Sequence, residues 1–267
     1  MTHHSLIHRR LRRALAPVAA LALLAWVGAV LATGPAQAAV VTHHRSTSYT
    51  GTARVGAIFS TSNGRLVGHF CTASVVDSRS HDLLVTAAHC VVAPGSGRAR
   101  NDLVFIPGYH AGQEPYGRWI VRKAIVGVRW SAHGDPADDV AFLTTVPVGG
   151  AGRVQDAVGA EAIRFNPARR NPAVAVGYPI HSGRPVHCGS RLRDFTRSQL
   201  EFDCPGLPGG TSGGPLLTGV GATGAGRGTV IGVIGGYQSG GSTADVSYTP
   251  YFGPDIAAVY RTALAQG

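Results

Sequence analysis

The sequence predicts an all-β fold of two barrels followed by one terminal helix, and three observations lead there. Short runs rich in β-branched and aromatic residues recur between clusters of Gly, Pro, Asn and Asp, a spacing that suits barrel strands better than alternating strands and helices. A glycine-rich break at residues 149–152, shortly after Val146 and Pro147, divides these runs into two halves. One segment alone, from Pro254 to about Ala265, repeats its apolar residues at helical spacing.

The N-terminal leader comes first along the chain. Arg9, Arg10, Arg12 and Arg13 form a basic stretch without an acidic residue, an apolar stretch runs from Ala14 to about Thr33, and Ala36, Gln37 and Ala38 fit a small-residue cleavage site. The apolar stretch is long enough to span a bilayer. Pro17 within it and the small-residue site behind it point instead to a cleaved signal peptide over residues 1–38. The expectation is a secreted, extracellular protein with no stable membrane association after cleavage. Residues 39–54 would be an N-terminal tail or a short pro-segment. Residues 55–267 would form the folded domain, with a first barrel over about 55–148, a second over about 153–251 and the helix over about 254–265.

In the first half, strands are expected at 55–59, 70–76, 83–86, 103–106, 119–128 and 140–144; in the second, at 174–178, 199–202, 215–217, 230–235 and 246–251. A run such as Val230, Ile231, Gly232, Val233 and Ile234 suits a strand buried on both faces, because glycine and β-branched residues disfavour a helix. At the C-terminus, Pro254 suits an early helical position and Asp255 complements the dipole of the first turn. Ile256, Val259, Tyr260 and Leu264 then share one face.

The formal net charge is +10. A basic balance can signal nucleic acid, but here the positive residues are scattered, nearly all Arg, and not interleaved with aromatics. A solvated basic surface on a monomer is expected, with no nucleic-acid partner. All four cysteines lie beyond the leader, so two disulfides are expected in an oxidising compartment. Three pairings are possible. The sequence-local one, Cys71 with Cys90 and Cys188 with Cys204, keeps each bridge within one half, each contributing about 3 kcal/mol on the chain-entropy account. Beyond the leader there is no C-x-x-C or H-x-x-x-H spacing, so no metal and no cofactor is expected.

Three runs carry the chemistry: Thr86-Ala87-Ala88-His89-Cys90, then Asp138-Asp139-Val140-Ala141-Phe142-Leu143, then Gly210-Thr211-Ser212-Gly213-Gly214-Pro215. A hydroxyl is a weak nucleophile until a base takes its proton, and a His base works best when a carboxylate holds one tautomer. Ser212 is the candidate nucleophile, His89 the base and Asp139 its orienting carboxylate. Asp135 and Asp138 compete for the last role, but Asp139 leads directly into the apolar run, where the chain enters the core. Asp138 is expected to face solvent or cap a loop. The glycines around Ser212 permit unusual φ values and close approach, so the N–H groups of Gly210 and Ser212 are the expected oxyanion donors. Because His89 acts as base only when neutral, the rate should rise with pH across the imidazole titration. The run from Gly210 to Gly214 also satisfies G-x-S-x-G. The last histidine is His187, so no base follows Ser212, and the α/β-hydrolase order Ser, Asp, His is excluded.

The order His, Asp, Ser is the chymotrypsin-like one. Together with His69-Phe70-Cys71, these runs resemble a trypsin/chymotrypsin-family serine peptidase of the bacterial secreted type, over about Val55 to Tyr251. The resemblance implies two Greek-key β-barrels with the active site between them and peptide-bond hydrolysis through an acyl-enzyme, on protein or peptide substrates. The run from Ile231 to Gly236 resembles the strand along which a substrate backbone pairs. Thr211 departs from animal digestive members, which carry there an Asp that pairs with a newly freed N-terminus. Activity is therefore expected not to depend on such an N-terminal ammonium beside Ser212.

The side-chain pocket should be walled by residues 204–210, 235–238 and the stretch near 245–248. Gly206 stands where the family's pocket-base acid would be, and Asp245 reads as a surface turn in preference to a pocket acid that would favour Arg or Lys; no pocket His follows Ser212, so a preference for acidic side chains is not supported. Tyr237 is placed at the entrance, and His181 and His187 are read as solvated loop residues. Two other functions share this fold: a non-catalytic binding protein, which usually lacks a triad residue, and an esterase using the same acyl-enzyme.

Overall fold

Residues 45–267 are described by the computed structural model; the leader predicted over 1–38 lies outside the described residues. Six strands close the first barrel in the order β2 (Val55–Ser62), β3 (Arg65–Val75), β4 (Leu83–Thr86), β7 (Ala141–Pro147), β6 (Trp119–Val126) and β5 (Leu103–Pro107). The second half forms an eight-stranded sheet. Its path runs β14 (Val246–Pro250), β11 (Gln199–Asp203), β10 (Val186–Asp194), β9 (Pro172–Gly177), β12 (Pro215–Thr218), β13 (Thr229–Val233) and β8 (Ala162–Ile163), with β1 (Thr47–Ser48) on β10. Its far strands return to one another: Val233 N–H donates to Thr249 Oγ1 at 3.1 Å and Gly235 N–H to the Tyr248 carbonyl at 2.9 Å.

Alternating residues of a strand face opposite sides, and here both sides are buried. In β2, Val55, Ala57 and Phe59 point into a core shared with the second half, and Ile58 points into the first barrel. In β9, Val174 and Val176 join the shared core, and Ala173 and Ala175 fill the second barrel. Burial on both faces is why these strands read as continuous apolar runs. The helix α3 (Pro254–Leu264) returns from the second barrel to the first, where Ile256 and Val259 enter the shared core and Tyr260 packs on Phe142 at 5.3 Å.

The sequence-local disulfides form, Cys71–Cys90 and Cys188–Cys204, with separations of 19 and 16 residues. Besides the two-residue strands β1 and β8, three elements were not expected. The strand β10 ends with exposed Arg191, Arg193 and Asp194, and only Leu192 is buried among them, so its apolar signal is short. The run expected as a strand over 119–128 stops at Val126; Gly127 turns the chain and α1 (Val128–His133) begins. A second short helix, α2 (Val154–Val158), follows the glycine-rich break. His187 is corrected as well: it is buried in β10, edge-on to Tyr49 at 4.8 Å, rather than solvated in a loop.

The described part of the tail ahead of β2, residues 45–54, is docked. The N–H groups of Ser46 and Tyr49 donate to the carbonyls of Pro205 and Pro185, at 2.7 and 3.1 Å. Arg54 Nε donates to Oε1 of the buried Glu161 at 2.8 Å. Among the described residues no helix is long and apolar enough to cross a membrane.

Candidate active site

Antiparallel pairing of β4 with β7 sets the first half of the site. Thr86, the last residue of β4, pairs with Ala141, the first of β7. Residues just beyond one strand and just before the other therefore emerge side by side. His89 lies three positions past that pair, in a 3-10 turn over Ala88–Cys90, and Asp139 two positions before it, after a 3-10 turn over Pro136–Asp138. Asp139 is fully buried and accepts three hydrogen bonds. The His89 N–H donates to Oδ1 at 2.8 Å, His89 Nδ1 lies 2.7 Å from Oδ2, and the Gly236 N–H donates to Oδ2 at 2.7 Å. Since Oδ2 is an acceptor, the proton of the His89 ring is placed on Nδ1 and Nε2 is left with a lone pair. The Cys71–Cys90 sulfurs lie within 4.8 Å of a His89 ring nitrogen; bonded to each other, they are a staple and not metal ligands.

Ser212 is brought to this edge by the loop before β12. Its carbonyl accepts from the Thr72 N–H at 2.8 Å, and the Gly213 N–H donates to the Ile234 carbonyl at 2.7 Å. A Cβ at Gly213 (φ +79°) would lie 2.0 Å from Thr86 Oγ1, so only glycine lets this loop lie against the end of β4. The Ser212 hydroxyl and His89 Nε2 are not hydrogen-bonded in this structure; such contacts often tighten only when substrate binds.

The amides beside Ser212 divide into two sets. Thr211, Gly213 and Gly214 N–H groups donate to the carbonyls of Pro208, Ile234 and Thr211. Among the described residues, those of Gly210 and Ser212 have no protein acceptor. Ile180 N–H holds the Gly209 carbonyl at 2.7 Å, which turns the Gly210 N–H of the same peptide the opposite way. Two unpaired donors on one turn can stabilise a developing oxyanion.

Thr72, in β3, was not legible as a site residue. Its hydroxyl donates to the Gly210 carbonyl at 2.9 Å and accepts from the Tyr178 N–H at 2.8 Å, tying the Ser212 loop to both halves. Replacement of Thr72 by Val keeps the shape and strands two buried groups, at about 1–3 kcal/mol each. The expected result is a kcat lower by about tenfold or more, with Thr72→Ser retaining most of it. Steady-state rates of the two variants check this, and equal kcat for Val and wild type would remove the hydroxyl from the account.

Asp138 departs from expectation. It is buried, and its Oδ1 accepts from Arg129 Nη2 at 2.7 Å. The cavity beside Ser212 encloses about 180 Å³ and has no charged residue in its lining; Leu207, Pro208 and Ile234 line it together with Ser239, Ser242 and Thr243. One wall agrees with the expected 204–210. The other is built from residues 239–244 rather than 235–238 and 245–248. Gln238 and Ser239, both at positive φ (52° and 56°), turn the chain there. Tyr237 packs tilted against Phe195 and edge-on to Tyr248, at 5.1 Å from each, and Asp245 is exposed. Near the same edge, burial lowers the pKa of His69 from its usual value, partly offset by the Ser182 carbonyl, which lies 3.0 Å from Nε2.

Known proteins share this architecture. Residues 71–224 match the family described as trypsin-like peptidase domain. Among solved structures, the protease Anisep from Arthrobacter nicotinovorans is 27% identical with a TM-score of 0.70, the match covering 82% of this chain and 99% of that one. The thermostable serine protease AL20 from an extremophilic microorganism is 30% identical with a TM-score of 0.69, covering 81% and 99%. A Glu endopeptidase, 16% identical with a TM-score of 0.63 over 85% and 100%, shares the fold. No curated protein matches the chain. With two barrels, the His–Asp–Ser order and the family match together, the chain belongs to the trypsin-like peptidases and is a serine endopeptidase.

Proposed function

We propose that the protein is a secreted endopeptidase in which Ser212 attacks the scissile carbonyl, His89 moves the proton and Asp139 holds His89 in the required tautomer. The N–H groups of Gly210 and Ser212 stabilise the oxyanion of the tetrahedral intermediate. The single observation that carries this reading is the Asp139 carboxylate, buried and contacted by both the backbone N–H and Nδ1 of His89. The proton taken by Nε2 from Ser212 then passes to the leaving amine, and water repeats the sequence to release the acyl group.

The uncharged cavity beside Ser212 supports uncharged side chains before the scissile bond, because a buried charge without a partner is costly. The basic stretch, apolar stretch and A-x-A site support export with cleavage after Ala38, and the two disulfides fit an oxidising compartment. The working unit is then a monomer spanning residues 39–267, with barrels over about 55–148 and 153–251. Protein or peptide substrates follow from the family. Thr211 is buried and donates its hydroxyl to the Pro208 carbonyl at 2.7 Å, so activation by a freed ammonium at that position is not part of the reading.

The test is labelling of the purified mature protein by a fluorophosphonate, read by intact mass, beside Ser212→Ala. One adduct on the wild type and none on the variant is the expected result. An unlabelled wild type with its fold intact, both as residues 39–267 and after trimming to Val55, would overturn the catalytic reading in favour of a binding protein.

A further inference from the structure

Helix α1 touches both loops that supply the base and its carboxylate. Trp130 is buried, and its Nε1–H donates to the Val92 carbonyl at 3.0 Å, three residues past His89. The Trp130 carbonyl in turn accepts from the Gly95 N–H at 3.1 Å. On the other side of the helix, Arg129 reaches the turn that ends in Asp139. Its Nη2 donates to Asp138 Oδ1 at 2.7 Å and to Asp255 Oδ2 of α3 at 2.9 Å, and its Nε lies 3.5 Å from Asp135 Oδ2. The Arg129 carbonyl accepts from the Asp135 N–H at 3.3 Å. Asp135 caps the turn, accepting from the Ala137 N–H at 2.9 Å.

These contacts differ in weight. Asp255 is exposed, and a solvent-exposed ion pair contributes little. Asp138 is buried, directly precedes Asp139, and would set a second uncompensated negative charge beside it without a cation. Gly127 shows how tightly the group is enclosed: a Cβ there would lie 2.4 Å from Asp138 Oδ2. The hydrogen bond to Asp138 leads the upward shift of the Arg129 pKa, with Asp255 and Asp135 adding smaller attractions. Asp139 itself touches no Arg or Lys among the described residues; its direct partners are two backbone N–H groups and the His89 ring.

We propose that Arg129 is a positioning residue for catalysis: through Asp138 it fixes the turn that presents Asp139 to His89, and α1 thereby sets the spacing of the pair. The proposal rests on the reading of His89, Asp139 and Ser212 as the triad. Arg129 and Asp138 do not line the cavity beside Ser212, so the effect belongs in kcat and not in KM.

The test uses the full exported chain with Arg129→Gln, Arg129→Lys and the double variant Arg129→Gln/Asp138→Asn. Rates are normalised to the sites titrated by a fluorophosphonate. For Arg129→Gln, kcat per titrated site should fall by about tenfold or more while KM stays within about twofold. Arg129→Lys should recover most of the loss, and so should the double variant, which removes the buried charge together with its partner. The low-field proton signal of the His89 Nδ1–H bond should broaden in Arg129→Gln and return in the double variant, a readout that needs no turnover. Unchanged kcat per site in a folded Arg129→Gln would overturn the proposal, as would a loss confined to the number of titratable sites. Absence of labelling in the wild type would instead remove the triad reading, and the proton signal would still report whether Arg129 holds Asp139 against His89.

Discussion

Replacing Asp139 by Asn should lower kcat by about four orders of magnitude with the fold intact, the scale on which loss of the orienting carboxylate acts in such triads. The hydrogen-bond inventory of Asp139 explains why so conservative a change is severe. Both oxygens accept, Oδ1 from the His89 N–H and Oδ2 from the Gly236 N–H and the His89 ring. An amide has one acceptor and one donor end. With its NH₂ toward Gly236, it opposes a backbone N–H that cannot turn and drives the His89 proton to Nε2, where the lone pair is needed. With its NH₂ at the other site, it opposes the His89 N–H and breaks the contact that anchors the base. Neither rotamer satisfies both strands of the site. Turnover of the purified variant, with thermal unfolding as a control, checks this; a kcat within about tenfold of wild type would show that Asp139 does not set the tautomer.

The second large effect is on stability. Replacing Arg54 by Ala should cost about 3–5 kcal/mol, because it strands a buried carboxylate. Glu161 is fully buried; Oε1 accepts from Arg54 Nε at 2.8 Å, and Oε2 accepts from the Gly228 N–H. Arg54 also donates through Nη2 to the Gly226 carbonyl, so this one residue holds the chain entering β2 against the loop leading into β13. For a domain of this size the shift in Tm should be about 10 °C, read in the Ser212→Ala background to avoid self-digestion. The Arg54→Ala/Glu161→Gln pair should regain most of the loss. If Arg54→Ala unfolds with wild type, the ion pair is not what secures this segment. Trimming the chain to Val55 removes Arg54 and the docked residues before it, and should therefore destabilise the domain rather than switch it on.

These two effects were not equally legible. Asp139 could be singled out as the candidate carboxylate, and its burial beside His89 anticipated, because an acid opening an apolar run downstream of His89 and upstream of Ser212 is a local signal. Strands such as β4 and β9 were legible because burial on both faces writes an unbroken apolar run. The strand β10 was not, since half of it carries Arg and Asp that point to solvent while backbone pairing to β9 and β11 makes it a strand. Asp138 was misread for a related reason: an acidic residue beside the core gives no sign of whether a cation will reach it, and Arg129 arrives from a helix whose own sequence continues the preceding strand pattern.

The sequence by itself determined the family, the two-barrel class, the disulfide partners as one of three options, and the terminal helix, and it named His89, Asp139 and Ser212 as the candidate triad in the chymotrypsin-like order. All of these depend on residues close in the chain or on a pattern repeated every few positions. The tertiary structure alone decided that Thr72 ties the Ser212 loop across 138 positions, that Arg54 meets Glu161 across 107, and that residues 239–244 wall the cavity. Such contacts arise when two barrels pack and a buried polar group takes whichever partner the packing brings within reach. A hydrogen bond of that kind leaves no periodicity in the chain, and its two ends become a pair only once the fold has closed around them.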